Sequence, residues 1–140
     1  MMRESWKERE HHLLKRFKGN PPATAAAVGR FKTESGLQLP EDYLLFLQQA
    51  NGGEGFIGAK TYLILWPLEQ LVEMNNSYRV SEYAAGLFVF GSDGGGEAFA
   101  FDTRTAEMPI VSVPFVGMDL EAIRPQALTF TAFLERLFTS

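Results

Sequence analysis

A chain of 140 residues, 46% hydrophobic and 13% aromatic, has the size of one domain and enough apolar material to bury a core, which excludes intrinsic disorder. It has no cysteine, which excludes a disulfide framework, a thiolate metal site and a cysteine nucleophile. Its net charge is −4 and its basic residues are scattered, so a long phosphate-binding surface is not expected.

The segment from Ser5 to Lys18 mixes Trp6, Leu13, Leu14 and Phe17 with charges of both signs, which predicts a partly amphipathic helix and lacks the apolar stretch of a secretory leader. Gly19-Asn20-Pro21-Pro22 ends it. Thr24 is placed to cap a second helix through Ala25, Ala26, Ala27, Val28 and Phe31, with Gly36 just past its end. A third helix opens at Pro40, where a fixed φ and a missing N–H suit a first helical position, and Glu41-Asp42 complement the helix dipole. Tyr43, Phe46, Leu47 and Ala50 give it one buried face, and Asn51-Gly52-Gly53 stop it.

Tyr62 to Leu65 reads as a short strand cut by Trp66-Pro67, and Leu68, Leu71 and Val72 predict a two-turn helix ending near Asn75-Asn76. The stretch from Ser77 to Ala85 is polar. Leu87–Phe90 and Glu97–Phe101 predict a β-hairpin around the wide turn Gly91 to Gly96, because Phe99 and Phe101 alternate with Ala98 and Ala100. Pro109 to Val113 is a further strand of that sheet, and an extended stretch is expected near Leu120 to Ile123. Thr129 caps a last helix with Phe130, Phe133, Leu134, Leu137 and Phe138 on one side. Helices, then strands, then a terminal helix is an α+β pattern: an antiparallel-rich sheet with N-terminal helices and a C-terminal helix packed on it. No apolar run spans a bilayer, and a single cytoplasmic domain, 1–140, is expected.

The run Leu39-Pro40-Glu41-Asp42-Tyr43, with Phe46-Leu47 and Asn51-Gly52-Gly53, resembles the signature of the SUKH superfamily, which includes fungal cell-wall-assembly regulators and many bacterial toxin-immunity proteins. The resemblance extends through Trp66-Pro67-Leu68, Phe90 to Glu97 with Phe101-Asp102, and Thr129-Phe130 to Phe133-Leu134, covering roughly Val28 to Phe138. It implies a scaffold whose members bind different partners, and fold alone does not choose among them.

Successive glycine N–H groups in the Gly91–Gly96 loop suit a phosphate cradle, but the loop lacks the Lys-Ser/Thr of a P-loop and precedes a strand rather than a helix, so a structural hairpin turn is expected. Asp93, Glu97 and Asp102, with Glu54 from another Gly-rich loop, are expected as exposed carboxylates that present a patch to a basic partner; the ligand spacing of a calcium loop is absent. His11 and His12 are adjacent and diverge on a helix, so neither zinc chemistry nor a histidine-based triad is expected. Trp66 is expected in the core, while Tyr78 and Tyr83 in their polar stretch are candidate contact residues.

These readings lead to a non-catalytic protein-binding domain, an immunity protein that binds and neutralises a toxin domain, with no cofactor, nucleic acid or membrane partner. A regulatory adaptor of the cell-wall-assembly type is the alternative, followed by a small-ligand binder using the glycine loop.

Overall fold

The computed structural model describes residues 12–140. Seven strands form one antiparallel sheet in sequence order: β1 (Phe17–Gly19), β2 (Gly53–Ile57), β3 (Thr61–Leu65), β4 (Leu87–Ser92), β5 (Glu97–Asp102), β6 (Ile110–Pro114) and β7 (Arg124–Ala127). Helices α1 (Ala25–Ser35) and α2 (Glu41–Leu47) lie between β1 and β2 in the chain. A 3₁₀ turn (Leu68–Gln70), α3 (Leu71–Ser77) and the single-turn α4 (Val80–Tyr83) lie between β3 and β4, and α5 (Phe130–Thr139) closes the chain. The α+β architecture is therefore as expected from the order of periodicities.

The helix ends follow local chemistry. Thr24 and Thr129 accept the backbone N–H of Ala27 and Ala132, each at 3.0 Å, and Gly36 ends α1 in the left-handed region at φ 70°. The central strands are buried on both sides. Phe90, Phe99 and Phe101 meet Tyr43 of α2 and Phe130 and Phe133 of α5, with ring centroids from 4.5 to 6.2 Å apart. Edge-to-face pairs of this kind contribute about 0.5–1.5 kcal/mol each beyond area burial.

Tyr43 brings a hydroxyl into that aromatic core, and its oxygen finds no hydrogen-bond partner among the described residues. Burial pushes the phenol well above its ordinary pKa, so it stays neutral. Because the hydroxyl is desolvated without compensation, Tyr43→Phe is expected to leave stability unchanged or raise it by about 1 kcal/mol in urea unfolding. A loss of that size would mean that the hydroxyl is satisfied in solution.

Three expectations are corrected. The helix expected over Ser5–Lys18 lies outside the described residues up to His11; within them helical backbone stops at Leu13, and Phe17–Gly19 is strand β1, paired with Gly53–Gly55. Residues 53–57, taken as the loop carrying Glu54, are strand β2, whose glycines face inward while Glu54 and Phe56 face out. Leu120–Ala122 is a 3₁₀ turn capped by Asp119, and the extended segment follows it as the edge strand β7, where Pro125 needs no second partner strand.

Candidate functional site

The glycine turn is closed on itself. Asp93 Oδ1 accepts the N–H of Gly95 at 2.7 Å and of Glu97 at 3.1 Å, and Ser92 Oγ accepts that of Gly94. The donors an anion would need are thus already met by the chain's own side chains, which fits the hairpin-turn reading.

The four expected carboxylates do not form one patch. Strand register places Glu54, Ile64, Ser92, Ala98 and Val113 across one face of the sheet, while Glu97, one position from Ala98, belongs to the opposite face. Asp93 is tied into the turn. Asp102, expected to be exposed, is 7% exposed at the far end of β5, where Arg104 holds it through two 2.9 Å contacts. The hydrogen bond from Arg104 lowers the Asp102 pKa more than its burial raises it, so the carboxylate remains charged inside the turn. Among the described residues no group of three or more His, Asp or Glu side chains is placed to hold a metal ion. His12 is exposed and packs on Phe138 at 5.2 Å, while His11 lies outside the described residues.

The Glu54 face is the open one. On β2 and β3, Glu54 and Phe56 stand opposite Ile64 and Tyr62, all of them wholly or partly exposed. The Tyr62 hydroxyl donates to Glu54 Oε2 at 2.5 Å, a bond that raises the phenol's pKa, and Arg16 lies 5.0 Å over the Phe56 ring. Alternation carries the same face on to Trp66, two residues beyond Ile64, and to Phe115, two beyond Val113.

There the sheet face is roofed by aromatic rings. Trp66 is buried as expected and stacks on Tyr78 at 6.1 Å with an interplanar angle of 5°, and Tyr78 meets Phe115 at 4.6 Å. Tyr78, Tyr83, Phe115, Gly117 and Met118 line an open cavity of about 330 Å³. Arg79 sets its geometry: it links α3 to α4 with φ 54°, and its carbonyl accepts the N–H of Glu82 and Tyr83. A non-glycine residue in this region costs of the order of 1 kcal/mol or more, which the surrounding packing must hold. The two tyrosines, 41% and 51% exposed, thus flank one strained turn and meet at one cavity.

The motif residues behave differently. Asp42 Oδ1 accepts its neighbour Tyr43's N–H, while Oδ2 accepts both the N–H and the hydroxyl of Thr131, so one carboxylate joins the first turns of α2 and α5. Asn51 accepts the N–H of Leu68 at 2.8 Å and donates to Glu69, pinning the turn after Trp66-Pro67. Gly52 lies against the backbone of Leu65, Trp66 and Pro67. The model of the SMI1/KNR4 family (SUKH-1) matches residues 22–136, a span that contains every one of these contacts. The chain belongs to the SMI1/KNR4 (SUKH-1) family. A search of curated proteins found no match.

In this SUKH-1 domain the signature residues are spent on internal contacts, and the exposed aromatic cavity lies outside them. Sequence reasoning singled out Tyr78 and Tyr83 but missed Phe115 and Met118, and it missed Phe56 and Tyr62 on the open face. Two signals were available: the alternation of Gly53, Gly55 and Ile57 with Glu54 and Phe56, and the apolar run Phe115 to Met118 that continues after β6 has ended.

Proposed function

We propose that this SUKH-1 domain is a non-catalytic protein-binding module of the immunity type, which neutralises a toxin domain in the cytoplasm by covering its working surface. The observation that carries this reading is the open sheet face of β2 and β3 running into the cavity edged by Tyr78 and Tyr83, while the other large aromatics among the described residues are mostly buried. Exposed tyrosines around a concavity are the residue type that anchors protein interfaces, since they supply large contact area at little conformational cost. Neither the Asp102–Arg104 pair, whose carboxylate is buried, nor the Asp93 turn is part of this proposed contact surface; Glu54 is.

The test is co-expression with any toxin domain encoded beside this chain in its genome of origin, and finding none there would count against the immunity reading. Growth rescue and a 1:1 complex in gel filtration are expected. Tyr83→Ala, at an exposed site, is expected to weaken the complex at least about tenfold with unchanged thermal unfolding, whereas Lys32→Ala on the exposed side of α1 leaves it intact. No complex and no rescue with the unaltered chain would reject the immunity reading. The family match equally accommodates a regulatory adaptor of the cell-wall-assembly type, which would present the same surface to one of the cell's own proteins.

A further inference from the structure

We infer that the cavity beside Arg16, at the turn joining β2 to β3, receives an acidic segment of the partner protein: one apolar side chain enters the cavity and its flanking carboxylates pair with Lys15 and Arg16. The inference rests on the protein-binding reading above and adds the chemistry of a second contact. The cavity, about 420 Å³, has an apolar lining of Leu13, Ala59 and Phe138, joined by His12, Lys15 and Arg16. Gly58 also lines it, at φ 76°, and a Cβ there would meet the Phe138 carbonyl, so the β2–β3 turn closes directly on the end of α5. A concavity of this size with apolar walls and a few convergent charged groups suits a ligand that is apolar at one point and charged beside it.

The sign of the charge selects an anion. The lining holds Lys15 and Arg16 and no carboxylate, and among the described residues neither cation is paired with one. Arg16 is already positioned: its Nη1 donates to the Gly58 carbonyl at 3.3 Å and its guanidinium lies 5.0 Å over the Phe56 ring, which leaves most of its five N–H donors for an incoming carboxylate. Through that contact the cavity adjoins the open face, where Phe56 stands opposite Tyr62. The paired strands at this end, with the residues leading into them, 12–19 and 53–65, carry Lys15, Arg16, Lys18 and Lys60 against Glu54 alone, in a chain whose net charge is −4. Glu54 in turn accepts the Tyr62 hydroxyl. The sign is the reverse of the acidic patch expected from the sequence. Opposite charges steer the encounter and the buried apolar side chain slows departure. A nucleic acid fits less well, because an exposed carboxylate stands on the same face and the chain as a whole is acidic.

The test uses the full chain and a small probe, so it does not depend on identifying the partner. In an NMR titration with the capped tripeptide acetyl-Glu-Leu-Glu-amide, saturable shifts are expected at the Leu13 and Ala59 methyls and the Phe138 ring. The uncharged acetyl-Gln-Leu-Gln-amide and the truncated acetyl-Glu-Gly-Glu-amide should each bind at least about fivefold more weakly. Lys15→Glu and, separately, Arg16→Gln should reduce affinity for the acidic tripeptide, both at exposed positions that leave the fold intact, whereas Lys32→Glu on α1 should not. Equal binding of the acidic and uncharged peptides, shifts scattered away from the cavity, or unchanged affinity in the Lys15 and Arg16 variants would overturn the inference. Tighter binding of an oligothymidylate at the same residues would overturn it in favour of a nucleic acid. So would the absence of peptide binding, even if the toxin complex forms, in which case the protein-binding reading stands without it. Peptide binding without any toxin complex would sustain the cavity's chemistry and reject the immunity reading.

Discussion

Gly52→Ala is expected to destabilise the domain by about 4 kcal/mol, enough to remove much of the 5–15 kcal/mol that holds a domain of this kind folded. The cause is geometric. Gly52 has φ 77°, and a Cβ there would stand 2.5 Å from the Leu65 carbonyl oxygen, 2.8 Å from the Trp66 carbonyl carbon and 2.9 Å from the Pro67 nitrogen. All three are backbone atoms at the point where β3 ends, so no rotamer change relieves them. The left-handed conformation adds roughly 1 kcal/mol for any residue with a Cβ. Urea unfolding of the purified variant measures the loss; a midpoint within error of the parent would show that the Leu65–Pro67 turn moves freely and that the glycine is not required for packing. Gly29, on exposed α1 with open space where its Cβ would be, is the control: Gly29→Ala should be neutral or stabilising by up to about 1 kcal/mol.

Asn75→Ala is expected to cost about 3 kcal/mol. After Trp66 donates to the Phe90 carbonyl, the chain turns away from β4 at Pro67, and the first half of β4 loses its neighbour strand. Asn75, on α3, takes that place: Oδ1 accepts the Val89 N–H and Nδ2 donates to the Val89 carbonyl, both at 2.8 Å, with a second donation to Leu71. A side chain thus imitates one residue of β strand beside the irregularity between Val89 and Gly91. Removing it leaves the N–H and carbonyl of the fully buried Val89 unpaired, at about 1–3 kcal/mol for each group. Asn75→Asp should be nearly as damaging, because a carboxylate accepts from Val89 but cannot donate to its carbonyl. Faster amide exchange at Val89 in either variant would locate the effect, and wild-type stability in both would refute the edge-completing role.

Both residues were visible in the sequence, with different meanings. Asn51-Gly52-Gly53 reads as a helix stop because glycine tolerates left-handed backbone, whereas α2 already ends at Leu47, with Gln48 as a right-handed cap, before the glycines are reached. What the motif does for β3, 13 residues further on, depends on a close approach that no local pattern encodes. Asn75 looks like the polar end of a short helix, whereas it lies inside α3 and faces the sheet edge. The same divide runs through the candidate site. Tyr78 and Tyr83 stand out by composition, but their convergence with Phe115 requires the β6 strand to return beside β5 and deliver Phe115 to the Gly96 carbonyl.

Taken by itself, the sequence determined the elements whose signals are local: the Thr24 and Thr129 caps, the apolar faces of α2 and α5, the Phe99/Phe101 alternation, and from their order the α+β class; the run Leu39 to Tyr43 with Asn51-Gly52-Gly53 carried the resemblance to the SUKH superfamily that the family match bears out. It also excluded thiolate chemistry, because the chain has no cysteine. Only the tertiary structure decided that Glu54 sits on a strand, that Asp102 is buried against Arg104, and that Glu54 and Glu97 belong to opposite faces of the sheet. The reason is that caps and periodicities are settled within a few residues, whereas exposure and the meeting of side chains depend on strand register and crossing, which join residues as far apart as Asp42 and Thr131.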